Sequence, residues 1–422
     1  MDLTSAARIP LGARQDGPHA EAARMRAAGP VVAVELPGGV PAWLVTRHDV
    51  GMRVLSDPGF VKSPLAWGAW RRGEVPADWP LLPFLTVANM TTATGADHRR
   101  LRRPVARALT PARVEALAPH VDRIAHELLD EVAASGPDES FDLRARFAHP
   151  LPVRIVCELL GVPGEQVPLL GELCDQLFGA PAAPDEAPRV HRALRDALAR
   201  LADHKRRFPA DDLTTALVTL HDENGDEYGD GPGDGDDPAT GRLTESELVD
   251  TLLLLIVAGH ETTVNLLGNA VRALLAHPEQ LALLRTGGAP WSSAVEETLR
   301  WDPPVANFPF RYAVYDVELA GTLVREGDPL VLSYISFGRD PEIYGEGADR
   351  FDVRRPVTRQ LAFGHGLHYC VGATLARLEG QVALRALFTR FPRLAPDPAA
   401  PAPAPPPSLV FNPPGEIPVV RG

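Results

Sequence analysis

The run Phe363-Gly364-His365-Gly366-Leu367-His368-Tyr369-Cys370-Val371-Gly372 concentrates more reactive chemistry than any other ten residues of the chain. Two glycines one residue apart let the backbone turn tightly against a flat partner. Cys370 stands where a new helix opens. The free N–H groups and positive dipole end of a helix start stabilise a thiolate, and thiolates ligate soft and redox-active metals. Cys157 and Cys174 have no such surroundings and read as inert buried thiols.

Three further segments could cooperate with that cysteine. Ala258-Gly259-His260-Glu261-Thr262-Thr263 lies midway along a long apolar helical pattern. An acid in a buried helix is costly unless solvated or paired. Gly259 removes a side chain where a small ligand could approach, and a threonine can bond back to a carbonyl and loosen the helix. The result is a dent with a proton route, although the same residues also suit a helix surface. His260 reads as a polar residue turned away from the dent. Glu297 and Arg300, at i and i+3, share a helix face; on a surface such a pair contributes little. In Asp97-His98-Arg99-Arg100-Leu101-Arg102-Arg103, His98 and Arg102 share a face suited to carboxylates. Arg99, Arg103 and Arg107 suit either a docking partner or plain solvent.

The Phe363–Gly372 run resembles the FGxGxHxCxG signature of the cytochrome P450s, the haem-thiolate monooxygenases. The resemblance extends from about Leu44 to the tail. It implies a mainly α fold with small β-sheets, a single domain over residues 1–422, with haem b between the long central helix and the cysteine loop. It implies Cys370 as the proximal iron ligand, a thiolate that favours O–O cleavage. Phe363, Gly364 and Gly372 would border the cofactor on that side, and Ala258 and Gly259 on the other. Thr262 would hydrogen-bond dioxygen and Glu261 relay protons to it, while His98, Arg102, Arg311 and His368 would hold the two propionates. Glu297 and Arg300 match the family's buried ExxR pair, with Arg350 as third partner, a structural rather than catalytic set. Similarity places substrate walls at Phe84, Leu85, Val87 and Met90, at Leu254, at Val305 and Phe308, and at Phe411. Gly338 stands where the family more often has asparagine.

Elements that could hold these groups are legible around them. Thr244 and Glu247 form a capping box at the start of a helix expected to run to about Ala276, apolar on most faces and therefore central. A helix is expected after Gly372, to about Phe391. Shorter ones are expected at Ala20–Ala28, His48–Leu55, Gln166–Phe178 and Pro188–Arg206, with helical patterns dominating from Asp97 to Leu159. Val31–Glu35 and Trp43–Val45 read as a hairpin about Pro37-Gly38-Gly39, and short strands fall between Val317 and Val331. Pro64–Thr94 reads as an irregular functional loop. Residues 222–237 form an acidic, glycine-rich insertion with no basic residue, read as flexible and solvated. Residues 396–407 are proline-rich and read as extended.

The 422 residues carry a formal net charge of −13, which argues against nucleic-acid binding by bulk charge. Three cysteines make no disulfide framework and suit a reducing compartment. Met1–Gly17 lacks an apolar signal core, and the apolar run Leu252–Gly259 is too short to span a bilayer. The expectation is a cytoplasmic monomer with no membrane partner. The chain holds no flavin domain and no cysteine cluster for an iron–sulfur centre. Electrons are therefore expected from NAD(P)H through a separate reductase and a ferredoxin. The expected reaction is hydroxylation: one oxygen atom of O2 enters a C–H bond of an apolar, medium-to-large natural product such as a steroid or macrolide, in secondary metabolism. Oxidative aromatic coupling by the same haem, and a non-catalytic haem-based ligand binder, are the alternatives.

Overall fold

The computed structural model describes residues 3, 6–12, 16–134, 136, 139–178, 186–222, 243–356, 359–401, 406 and 408–421. The axis of the fold is the helix Glu245–Ala276. Its start is sealed as the sequence predicts. The Thr244 hydroxyl accepts from the Glu247 N–H at 3.2 Å, and the Glu247 carboxylate accepts from the Thr244 N–H at 2.8 Å. Length and composition alone would let this helix cross a bilayer, but 67% of its most apolar window is buried inside the fold. It packs against the helices Pro150–Leu159, Glu186–Arg207, Trp291–Trp301 and Ala373–Arg390. The interlocked core of Leu266, Leu267, Leu299, Leu384 and Leu387 joins three of these elements.

On the other side lies a six-stranded sheet, in the spatial order Ile9–Pro10, Val31–Leu36, Val40–Val45, Pro329–Ser333, Asn307–Ala313, Phe60–Val61. The expected hairpin forms, with Val31 opposite Val45 and Leu36 opposite Val40. The register of Asn307–Ala313 against Pro329–Ser333 shifts between Phe308 and Arg311. In a regular strand those two positions, three apart, would point to opposite faces. The irregularity re-aims the chain, and both side chains reach the same cavity.

The expected helices form at Pro18–Ala28, His48–Ser56, Val167–Phe178, Glu186–Arg207 and Ala373–Arg390. The segment expected to be irregular, 64–94, instead contains helical turns at Pro64–Ala66, Gly68–Arg71 and Leu82–Leu85. Its aromatics anchor it: Trp67 packs 5.8 Å from Trp79 and 5.3 Å from Phe310, centroid to centroid. Arg144–Ala148 forms one turn of π-helix, a local underwinding often found beside functional sites. Beyond Asp222 the acidic insertion lies outside the described residues, as do 402–405 and 407 of the proline-rich segment. The beginning of that segment is extended, with Pro396 paired to Val419.

Candidate active site

Between the long helix and the loop that precedes helix Ala373–Arg390 lies a cavity of about 300 Å³. Its floor is the Cys370 loop. Gly364 and Gly366 adopt φ of 73° and 71° there, a region that L side chains rarely enter. A Cβ on Gly366 would also lie 2.8 Å from the Leu55 carbonyl oxygen. Both glycines are thus required by the backbone path, as their spacing suggests. The loop closes on itself through Cys370 N–H to the Phe363 carbonyl at 2.9 Å. Cys370 is surrounded by protein, and its one open face is the cavity. Burial pushes its thiol above the ordinary value, opposed by the Gly372 N–H and the guanidiniums of Arg102 and Arg377. A coordinated metal would deprotonate it outright.

One flank of the cavity gathers cations without anions. His98 and His368 meet with ring centroids 4.2 Å apart and their planes tilted by 48°. His98 is buried and neither of its ring nitrogens has a hydrogen-bond partner. Desolvation, reinforced by Arg102 and Arg311, holds His98 at about 4; desolvation and Arg311 hold His368 at about 2. Arg102 donates to the Tyr369 carbonyl at 2.6 Å. Arg311 is buried, and no described carboxylate pairs with it or with Arg102. A group carrying two carboxylates answers this imbalance, and a thiolate ligand facing the same space answers its iron. The residues present therefore fit haem, with His98, Arg102, Arg311 and His368 disposed for the propionates and Cys370 for the metal.

The opposite wall is the long helix. Ala258 is exposed in the middle of this buried element because it faces the cavity. The Thr262 hydroxyl donates to the Ala258 carbonyl at 2.7 Å, the back-bond that loosens a helix. Gly259 borders the cavity, but a Cβ there would lie 2.8 Å from Val156. Its missing side chain makes room for Val156 of helix Pro150–Leu159, which lines the same cavity. Glu261 turns out of the cavity. It accepts from the Asn265 amide at 3.1 Å and lies 3.9 Å from Arg144 on the π-turn. Burial pushes its carboxyl above the ordinary value against the pull of Arg144 and Asn265. A raised carboxyl is better placed to donate a proton near neutral pH. His260 is fully buried beside His149, ring centroids 4.7 Å apart, on the side away from the cavity.

Two expectations are corrected. Arg300 donates to both Glu297 oxygens, at 2.8 and 2.7 Å, but the third side chain of this cluster is Arg355, 3.3 Å from Glu297. Arg350 is exposed and contributes only its carbonyl, which accepts from Arg300 at 2.8 Å. The backbone after Arg350 turns its side chain outward and brings Arg355 back. Of the substrate walls, Met90, Leu254, Val305 and Phe308 line the cavity. Phe84, Leu85, Val87 and Phe411 do not. The unexpected turn Leu82–Leu85 buries Leu85 in the sheet-side core and sets Phe84 edge-on to Phe411, 6.2 Å between centroids. Val87 offers its carbonyl to the Thr92 hydroxyl. Gly338 also finds its reason: a Cβ there would lie 1.7 Å from the Arg300 carbonyl oxygen.

Sequence reasoning passed over Lys62, which lines the cavity, and Arg144, which faces Glu261. Lys62 left a signal, being one of two lysines in the chain; Arg144 left none.

Residues 292–419 match the family model described as Cytochrome P450. The chain is 40% identical to the 2-hydroxy-5-methyl-1-naphthoate 7-hydroxylase of Streptomyces carzinostaticus, over 89% of this chain and 88% of that protein. It is 40% identical to the cytochrome P450 monooxygenase PikC of Streptomyces venezuelae, over 90% of this chain and 85% of that one. Against the vitamin D(3) 25-hydroxylase of Pseudonocardia autotrophica it is 38% identical, over 90% and 87%. Among solved structures, CYP154C4 from Streptomyces sp. W2061 superposes with a TM-score of 0.89 at 42% identity, covering 99% of this chain and 98% of that one. CYP154A1 from Streptomyces coelicolor A3(2) gives 0.86 at 39% identity, covering 98% and 100%.

Proposed function

The chain belongs to the cytochrome P450 family of monooxygenases, and from that premise we propose that it hydroxylates an apolar, medium-to-large natural product of steroid or macrolide type. The observation that carries this reading is the single cavity shared by the Cys370 loop and an apolar wall of Met90, Leu254, Val305 and Phe308. Such a wall recognises shape and grease, with few polar groups to fix orientation. The relative named for vitamin D(3) fits a substrate of that kind, whereas the one named for a naphthoate acts on a smaller aromatic acid.

Haem is the family's cofactor; when bound it supplies the dioxygen activation that delivers one oxygen atom to a C–H bond. The chain's own residues do the rest. Cys370 holds the iron from the loop, and His98, Arg102, Arg311 and His368 fix the cofactor by its propionates. Thr262, whose hydroxyl is now satisfied by Ala258, holds a proton at the cavity wall. Glu261, the preceding residue, is the proposed proton donor to Thr262; its carboxylate, held outside the cavity by Asn265 and Arg144, must turn inward to reach that hydroxyl. Electrons come from NAD(P)H through separate redox proteins. We assign the docking face to Arg99, Arg103 and Arg107, exposed at four-residue intervals along helix Gly95–Ala108, together with exposed Leu367 and Tyr369 of the cysteine loop. An acidic ferredoxin suits this face, and its association should weaken with salt. The reading also makes the protein a cytoplasmic monomer.

Three measurements test this. The ferrous carbon monoxide spectrum of purified protein should show the red-shifted thiolate band, and Cys370→Ala should lose it. Thr262→Ala should consume NADPH nearly as before but release more hydrogen peroxide and form less product, since general acid catalysis contributes ~10²–10⁴-fold. Wild-type coupling in both Thr262→Ala and Glu261→Gln would remove these residues from the proton route. Product mass separates the chemistries: a gain of one oxygen is hydroxylation, a loss of two hydrogens is ring coupling.

A further inference from the structure

Lys62 and Lys205 are the two lysines of the chain, and both are buried. An ammonium out of water is costly unless it meets an acid. Lys205 does, 2.5 Å from Asp212. Lys62 does not. It follows the strand Phe60–Val61, 8% exposed, in the wall of the cavity. Among the described residues no carboxylate, carbonyl or hydroxyl accepts from it. Its Nζ lies 4.3 Å from the centre of the Phe308 ring, a contact that offsets only part of the desolvation. The charged and basic groups that influence it are Arg311 and His368, neither an acid.

We propose that Lys62 binds a carboxylate inside the cavity. Two carboxylates can arrive there: a haem propionate, or an acid group on the substrate. The charge count distinguishes their claims. Two propionates are already matched by the guanidiniums of Arg102 and Arg311, with His98 and His368 as neutral donors. Lys62 is then a third basic group without an anion; burial and Arg311 depress its ammonium, so it takes up its charge together with an acidic ligand. Its position against Phe308, a wall of the apolar part of the cavity, suits a ligand with a greasy body and one acidic end. Lys62 is in that case a specificity-determining residue, and the substrate class narrows to acids. This inference rests on the haem reading above, and the carbon monoxide spectrum of the same preparation tests that reading separately.

The experiment compares wild-type holoenzyme with Lys62→Met and with the charge-keeping Lys62→Arg. The first arm follows transfer of haem to excess apomyoglobin. The second measures dissociation constants for 2-naphthoate and its neutral isostere 2-naphthamide from the haem spectral shift. A propionate partner predicts that Lys62→Met speeds haem transfer about tenfold and leaves the acid-to-amide preference unchanged. A substrate partner predicts that wild type prefers the acid and that Lys62→Met lowers the preference about tenfold, with haem transfer unchanged. Lys62→Arg should keep wild-type behaviour in the responding arm. Failure of the naphthyl pair to shift the wild-type spectrum counts as a failed second arm. If Lys62→Met does not accumulate, Lys62→Gln replaces it, retaining a donor without the charge. No change in either arm overturns the proposal.

Discussion

Two arginine-centred clusters are buried in this fold, one complete and one not. Around Arg300, itself 1% exposed, the guanidinium donates to both Glu297 oxygens and to the carbonyls of Gly338, Ala348 and Arg350. Glu297 also accepts from the Asp352 N–H at 2.9 Å and from Arg355. Around Arg311, 6% exposed, stand Lys62, His98, Arg102 and His368, with no described acid among them. Buried charge is tolerated only when desolvation is offset by good geometry and full hydrogen bonding. The first cluster meets that condition from within the chain. The second meets it only when something anionic is bound. Completeness therefore separates an ion cluster that builds the fold from one that waits for a ligand, which composition and burial alone do not.

The largest expected effect breaks the complete cluster. Arg300→Ala leaves Glu297 buried and short of its strongest partner, a loss of about 3–5 kcal/mol. The variant should fail to accumulate as folded holoenzyme, measured by urea unfolding and haem content. A stable, haem-loaded Arg300→Ala would erase the distinction. Next comes the incomplete cluster. Arg102→Ala or Arg311→Ala removes one charge-assisted bond to a propionate, about 1.5–3 kcal/mol. Haem transfer to apomyoglobin should accelerate roughly 10–100-fold at that cost, while the circular dichroism of the fold persists. Unchanged haem retention in both variants would remove the propionate assignment.

A smaller effect is pH-dependent. Without an anion His98 sits at about 4 and His368 at about 2, below the ordinary imidazole value of 6.5. A group whose folded value is depressed binds fewer protons than in the unfolded chain. Its stability contribution is present above pH ~6.5 and is lost as pH falls towards 4. Bound propionates would raise both imidazoles and close that gap. The urea midpoint of haem-depleted protein should therefore fall more between pH 7.5 and 5 than that of holoenzyme. Parallel pH profiles would mean that the cradle does not feel the propionates.

What the sequence made legible is local. The Gly364 and Gly366 turns, the Thr244–Glu247 cap, the Glu297–Arg300 pair and the shared face of His98 and Arg102 each fall within five residues, where helix and turn geometry decides who meets whom. What it concealed depends on distant packing. Gly259 meets Val156 across two helices, Phe84 meets Phe411 from the far end of the chain, and Glu261 meets Arg144 only because a π-turn intervenes. Lys62 reaches the cavity beside Arg311 because strand Phe60–Val61 pairs with Asn307–Ala313, Val61 opposite Tyr312. No local periodicity reports a pairing between segments about 250 residues apart.

The finest prediction concerns the edge of the complete cluster, where sequence reading and structure disagree. Resemblance assigned the third partner to Arg350; the fold gives that place to Arg355. The Arg355 side chain is 16% exposed and holds Glu297 at 3.3 Å and the Gly347 carbonyl at 2.8 Å. Its contribution is limited because Arg300 already satisfies both Glu297 oxygens, so Arg355→Gln should cost about 1 kcal/mol, within the range of a single hydrogen bond. Arg350 contributes through its backbone, and an exposed side chain without such contacts changes stability by no more than ~0.5 kcal/mol. Arg350→Ala should therefore be close to neutral, since alanine keeps the carbonyl that Arg300 uses. Paired urea titrations of the two variants decide the matter, with the unchanged slope as a check that only stability moved. A costly Arg350→Ala beside a silent Arg355→Gln would restore the assignment read from resemblance. It would also mean that the turn after Arg350 runs differently from the one described.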